Sequence, residues 1–348
     1  MFRSFRIFAL ALSFTLSLSS NITQAKPLAY KSQIQNEDLA CVDVFYDKAS
    51  DPFISSFDDS LKAQGHYFGV RVRSFDAYGQ GEVQMHQFKE VSSDRCTKII
   101  NVSEPYFAQS LVNLSKKAGN KIIFFNRKPD PEALISYNKA WFVGSNSTEI
   151  GTIQGKMVVD YFLDHPDFDR NRNGKLDIIL FKGSFGNVDT EFRSQTVIEE
   201  LRRSGIKFER LEVFSCNWSR DQAYQEMMDY IKKNGLKDPD VIISNNDAMA
   251  LGALKALQMH GYNLGSYCSK IPVFGIDAVP EAISALDSGM IEGTVSHDYR
   301  TMALVCLKIQ AITDISQENL SKVIGVPVHD SYIMVPSKAR TSNSYIFR

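Results

Sequence analysis

Short runs of β-branched and aromatic residues alternate along this chain with amphipathic stretches, and that alternation limits the possible folds more than any other feature. The runs "CVDVFY", "YFGVRVRSF", "TKIINV", "KIIFFN", "KAWFVG", "LDIILFKG", "KFERLEVF", "DVIISNND", "IPVFGID" and "GTVSHD" read as strands. Between them, "PYFAQSLVNLSKKAG", "TVIEELRRSG", "QAYQEMMDYIKKNG" and "AMALGALKALQMHG" read as helices closed by a C-terminal Gly. Parallel strands need long crossovers, and crossover helices cover both faces of the sheet, so the predicted class is α/β with parallel sheets. A chain of 348 residues has room for two such units. The pattern divides near residue 145 into two similar halves.

Residues 1–25 read as an export signal: Arg3 and Arg6, then the apolar run "IFALALSFTLSLSS", then a cleavage site near Ala25. The apolar run is short for a membrane span, and no second run of about twenty apolar residues follows. No Cys follows the run directly, so a lipid anchor there has no support. A formal net charge of −1 without basic runs leaves no footprint for nucleic acid or anionic membrane. The five cysteines, Cys41, Cys96, Cys216, Cys268 and Cys306, show no CxxC spacing, which excludes the usual zinc or iron–sulfur patterns. Export permits disulfides, and Cys41 and Cys96, each ahead of an apolar strand in the same half, are the first candidate pair, with the connectivity left open.

In open α/β sheets ligands sit outside the carboxyl ends of the strands. Those ends carry Asp51, Asn126, Asn187, Asp189, Arg193, Asn246, Asp247, Asp277 and His297. Each alone reads as a cap or turn residue, but the repetition over six strand ends points to a polar ligand site. At an opposite edge, "DRNRNGKLD" places Asp169, Asn171, Asn173, Gly174, Lys175 and Asp177 at positions one, three, five, six, seven and nine of an EF-hand loop. Position twelve is Leu180, where such loops carry a bidentate glutamate. Asp177 opens one strand and Asp240 another, and amino ends of neighbouring parallel strands lie about 4.8 Å apart. Asp240 can therefore supply the missing carboxylate.

The segments "KIIFFNRKPDPEALISYNKAWFVG", "DRNRNGKLDIILFKG", "VIISNNDAMALGALKAL" and "IPVFGIDAVPEAISALDSGMIEGTV" resemble the periplasmic galactose/glucose-binding proteins, of the class I bacterial solute-binding fold. The resemblance covers nearly the whole chain after the signal. It implies two Rossmann-like lobes joined by three crossover hinge strands, the periplasmic binding protein type I architecture. Residues 26–145 with 297–333 would form one lobe and 146–296 with 334–348 the other. It implies sugar contacts at Asp51, Phe53, Asn126, Asp189, Arg193, Trp218, Asn246 and Asp277, with Phe53 and Trp218 sandwiching the sugar ring. It also implies a structural Ca²⁺ held by the side chains of Asp169, Asn171, Asn173, Asp177 and Asp240 and the Lys175 carbonyl. Two positions depart from the family pattern: Asn187 stands where His is usual and His297 where Asn is usual, which leaves the identity of the sugar open. A His297 facing the ligand with an ordinary pKa near 6.5 would make binding sensitive to mild acid.

The implied partners are a monosaccharide, the membrane permease of an ABC importer and a chemoreceptor, with no nucleic acid, for a monomeric protein located in the periplasm. A sensory receptor without transport is the runner-up reading. A glycosidase is the other, because Asp51, Asp189 and Asp277 would surround a bound sugar, but Arg193 and the amides that balance them are what binding alone requires. A sugar-responsive transcription regulator would need an N-terminal helix-turn-helix in place of the export signal.

Overall fold

The β-branched runs assemble into two sheets, because the central runs are apolar on both of their faces and must be covered on both. In the computed structural model, which describes residues 40–166, 168–265, 269–313 and 315–341, the first sheet contains β1 (Cys41–Tyr46), β2 (Arg71–Asp76), β3 (Thr97–Ile100), β4 (Ile122–Phe125), β5 (Ala140–Gly144), β11 (Val328–His329) and β12 (Tyr332–Met334). The second contains β6 (Leu176–Lys182), β7 (Phe208–Ser215), β8 (Val241–Ser244), β9 (Val273–Asp277), β10 (Gly293–Ser296) and β13 (Lys338–Thr341). Their orders are β11-β12-β5-β4-β3-β1-β2 and β13-β10-β9-β8-β6-β7. All pairs are parallel except the β11–β12 hairpin and β13 against β10. The helices are α1 (Pro52–Phe68), α2 (Gly81–Val91), α3 (Ala108–Ala118), α4 (Pro131–Ile135), α5 (Ser147–Asp164), α6 (Val188–Arg203), α7 (Arg220–Asn234), α8 (Asp247–Met259), α9 (Pro280–Asp287), α10 (Tyr299–Ala311) and α11 (Gln317–Ile324). Each sheet has an apolar cluster on either face, and β8, in the middle of its sheet, is buried at every residue.

The chain passes between the lobes three times: from β5 into α5, from β10 into α10, and from β12 into β13. Two of these passages are tied together, since Val335 N–H donates to Gly144 O at 2.7 Å and Ser145 Oγ donates to Val335 O at 2.8 Å. This is the two-lobed, three-crossover arrangement expected for the type I fold.

One local expectation needs correction. The strand assigned to "YFGVRVRSF" begins at Arg71; Tyr67 and Phe68 belong to the last turn of α1, which ends on Gly69 in the left-handed region, at φ 69°. Helix α5 carries Gly151 and Gly155, poor helix formers, where it meets α6. A Cβ at Gly151 would lie 2.0 Å from Thr196 Oγ1 and 2.7 Å from Arg193 O, so close packing overrides propensity there.

Cys41 and Cys96 form a disulfide that ties the start of β1 to the loop entering β3. Beside it, the fully buried Lys98 ammonium meets Asp43 at 2.7 Å, and Arg73 bridges Asp43 and Asp94 at 2.6 Å each. Cys216 and Cys306 are buried thiols. Cys268 and the export signal lie outside the described residues, among which no helix is long and apolar enough to cross a membrane.

Candidate functional site

The carboxyl ends of both sheets face one cavity of about 130 Å³, and all ten side chains expected at the ligand site line it. Helix starts place most of them. Asp51 caps α1, its Oδ1 accepting the N–H groups of Phe53 (2.9 Å) and Ile54 (3.1 Å), which leaves Oδ2 toward the cavity. Asn187 caps α6 through Thr190 N–H at 3.1 Å. Further along the same helix, Asp189 accepts from Ser147 Oγ at 2.5 Å and Arg193 donates from Nη1 to Asn245 O at 2.8 Å. Arg193 is buried, its guanidinium lies 5.6 Å from the Trp218 ring, and its Nε has no protein partner.

Backbone strain concentrates here. Among the described residues nine non-glycine positions have positive φ, and Asn126, Asn217, Trp218, Asp277 and Ala278 are five of them, as expected where a site holds side chains against local preference. Trp218 is pressed onto Gly183, where a Cβ would come within 2.3 Å of the indole. Asn246 has both amide atoms engaged, Oδ1 by Met249 N–H at 2.9 Å and Nδ2 by Trp218 O at 3.2 Å, so it also holds the Trp218 loop.

His297 lies in the second crossover and stacks on Phe53, with ring centroids 4.4 Å apart and planes at 15°. One face of Phe53 is therefore covered by the imidazole, which modifies the expected aromatic sandwich. The expected titration of His297 near pH 6.5 is also corrected: burial, reinforced by the charge of Arg193, pushes its pKa down to about 3. Its Nδ1 stands 3.6 Å from Asp277 Oδ1, too far for a hydrogen bond, and a neutral ring makes no ion pair.

The carboxylates titrate instead. Burial raises Asp277 to about 7 against the opposing pull of Arg193, and burial together with the Asp277 charge raises Asp51 to about 6. Asp51, Asp247, Arg193 and His297 are the ionisable groups around Asp277. Acids whose folded pKa exceeds the unfolded value bind more protons in the native state, so they destabilise it above that pKa and cease to do so as pH falls. The sugar-free melting temperature should therefore rise as pH falls from about 7 toward about 4 through these two groups, and Asp277→Asn should flatten that rise. Calorimetric melts at both ends of that range check this.

The cavity also takes in Asp47, Lys48, Asn101, Arg127 and Asn217, which were not anticipated. Asn101 ends the run "TKIIN", so the strand-end signal could have found it. Arg127 pairs with Asp47 at 3.4 Å across the strand ends, a long-range contact with no sequence signature.

At the amino edge of the second sheet, Asp177 and Asp240 are neighbours, Asp240 N–H donating to Asp177 O at 2.9 Å. Asp240 receives N–H groups from Arg170 and Asp177 at 2.8 Å each, and Asp169 receives those of Asn173 (3.0 Å) and Gly174 (2.7 Å). The amides of Asn171 and Asn173 donate to Asp177 Oδ2 at 2.7 and 2.8 Å, while the buried Asp177 Oδ1 has no partner. Among the described residues no group of three or more His, Cys, Asp or Glu side chains stands in ligating position. The loop nevertheless gathers hard oxygen donors and one orphaned carboxylate oxygen, a donor set of the kind calcium takes.

Comparison with known proteins agrees with this architecture. The periplasmic binding protein domain description matches residues 42–311. The D-galactose/methyl-galactoside binding periplasmic protein MglB of Haemophilus influenzae is 34% identical over 256 residues, 72% of this chain and 74% of that protein. A putative rhizopine-binding protein of Rhizobium meliloti is 25% identical over 261 residues, 74% and 78% of the two chains. An ABC transporter solute-binding protein from Bacillus halodurans, solved with bound myo-inositol, shares the fold with a TM-score of 0.66 at 22% identity, covering 87% of this chain and 94% of its own. The chain belongs to the periplasmic binding protein family.

Proposed function

We propose that this protein is the sugar-binding component of an ABC importer, capturing a galactose- or glucose-like monosaccharide between its lobes and delivering it to a membrane permease. Its family is one of periplasmic solute-binding proteins and not of enzymes. The observation that carries the reading is the convergence of polar groups from both lobes and one crossover on a single cavity, with Arg193 Nε and His297 Nδ1 buried and unpartnered by protein. A monosaccharide presents a ring of hydroxyls that donate and accept, which suits Asp51, Asp189 and Asp277 as acceptors and Arg193, Asn126 and Asn187 as donors. The apolar faces of its ring suit the indole of Trp218. The choice of galactose or glucose rests on the Haemophilus relative. Denaturing the purified protein and weighing the released small molecule by mass spectrometry tests the proposal: a hexose supports it, and a non-sugar ligand rejects it.

We further propose that the loop at 169–177, completed by Asp240, holds a structural Ca²⁺. A bound cation would neutralise the Asp169, Asp177 and Asp240 charges and fix the loop. The carboxamides of Asn171 and Asn173, which donate to Asp177 Oδ2 here, would turn so that their oxygens face the cation. Metal that binds only the native state stabilises it by mass action, by about 2.7 kcal/mol at a hundredfold excess over the dissociation constant. Chelation should therefore lower the melting temperature by several degrees and leave sugar affinity within about twofold, because the loop lies at the sheet edge opposite the cavity. An unchanged melt after thorough chelation rejects the calcium assignment.

A further inference from the structure

Asp247 is fully buried beneath the cavity without lining it. It occupies the first position of α8, where a carboxylate ordinarily serves the helix dipole. Here the helix is capped by the neighbouring Asn246, and the Asp247 oxygens turn instead toward the β9–α9 loop and strand β10. Its Oδ2 accepts Val279 N–H at 3.0 Å, and its Oδ1 accepts the Thr294 hydroxyl at 2.7 Å. The Thr294 hydroxyl in turn accepts Ala278 N–H at 3.2 Å. One carboxylate thus gathers two successive amides, one directly and one through a hydroxyl.

Those amides follow Asp277, whose φ is 122°, and Ala278 itself has φ 56°. Two consecutive residues with a Cβ in this region are sterically costly and persist only where their surroundings impose it. The strand makes room for the device: a Cβ at Gly275 would lie 2.1 Å from Asp247 Oδ1. Among the described residues no cation pairs with Asp247, and a buried carboxylate without one is expensive to keep. Burial and the nearby Asp277 charge hold its pKa well above the usual carboxylate range.

We propose that Asp247 is a positioning residue of the ligand site, holding the Asp277–Ala278 turn in its left-handed conformation and so setting where the Asp277 carboxylate stands in the cleft. Affinity and the preference among epimeric sugars then depend on a residue that touches no ligand. This consequence rests on the sugar-binding reading of the cleft.

The test uses the full protein with Thr294→Val, which removes the bridging hydroxyl at nearly constant volume, Thr294→Ser, which restores it, and Asp247→Asn. Crystal structures without sugar should show Asp277 leaving positive φ in Thr294→Val and keeping it in Thr294→Ser. Titration calorimetry with D-galactose and D-glucose should show affinity reduced about tenfold or more by Thr294→Val and by Asp247→Asn, with Thr294→Ser near the wild type. In an Asp277→Asn background the Thr294→Val effect should shrink below about twofold, which a general loss of stability would not produce. Retention of positive φ at Asp277 in Thr294→Val, or wild-type affinity in both Thr294→Val and Asp247→Asn, overturns the proposal. If the wild type itself binds neither sugar, the sugar-binding reading fails, and the crystallographic comparison alone still decides the role of Asp247.

Discussion

Arg193→Gln should weaken sugar binding by about a hundredfold or more while the protein remains folded. Arg193 is the buried cation of the cavity, 5% exposed, and its pull holds Asp277 below the pKa that burial alone would give. Losing a charge-assisted hydrogen bond costs about 1.5–3 kcal/mol, and the substitution also leaves Asp277 without its compensating charge. A glutamine amide can keep the bond to Asn245 O that Nη1 makes at 2.8 Å, which preserves the α6–β8 contact. Arg193→Lys retains the charge but not the planar fork or the stack on Trp218, so its loss should be intermediate. Calorimetric titration of the three proteins checks the ranking, and an Arg193→Gln affinity within about threefold of the wild type contradicts it.

Removing the disulfide should produce the largest change in stability. The bond spans 55 residues, and closing a loop of that size restricts the unfolded chain by about 4 kcal/mol at 25 °C. Nothing on the β1–β3 edge replaces it, because the adjacent Asp43–Lys98 pair is buried and depends on these strands staying in register. For a chain of this size Cys41→Ser with Cys96→Ser should lower the melting temperature by about 10 °C. The bond lies at the amino end of the first sheet and the cavity at the carboxyl ends, so sugar affinity at 25 °C should be nearly unchanged. A melting temperature within about 2 °C of the wild type contradicts the argument.

The α/β class was legible because strands buried on both faces must be continuously apolar, as "IIFF" in β4 is. The site residues at strand ends were legible for a related reason. Polar Asn and Asp at the ends of apolar runs become helix caps, and caps on parallel strands face one edge, as Asp51, Asn187 and Asn246 do. What could not be read were the properties that arise only on packing. His297 looks like any histidine in "GTVSHD", and only its burial against Phe53 and Arg193 removes its titration from the physiological range. The glycines of α5, Gly151 and Gly155, answer to the approach of α6 and not to helix propensity. Asp247 reads as one more acid in "SNNDAMA", and its hold on Ala278 and Val279 comes from chain about thirty residues away.

Titration calorimetry of the wild-type protein, stripped of bound ligand by reversible unfolding, with D-galactose and D-glucose at pH 7.5 tests the central claim most directly. The account predicts saturable binding of one sugar per chain, weakening at pH 5 as Asp51 and Asp277 take up protons. Absence of saturable heat with both sugars and their epimers would contradict it.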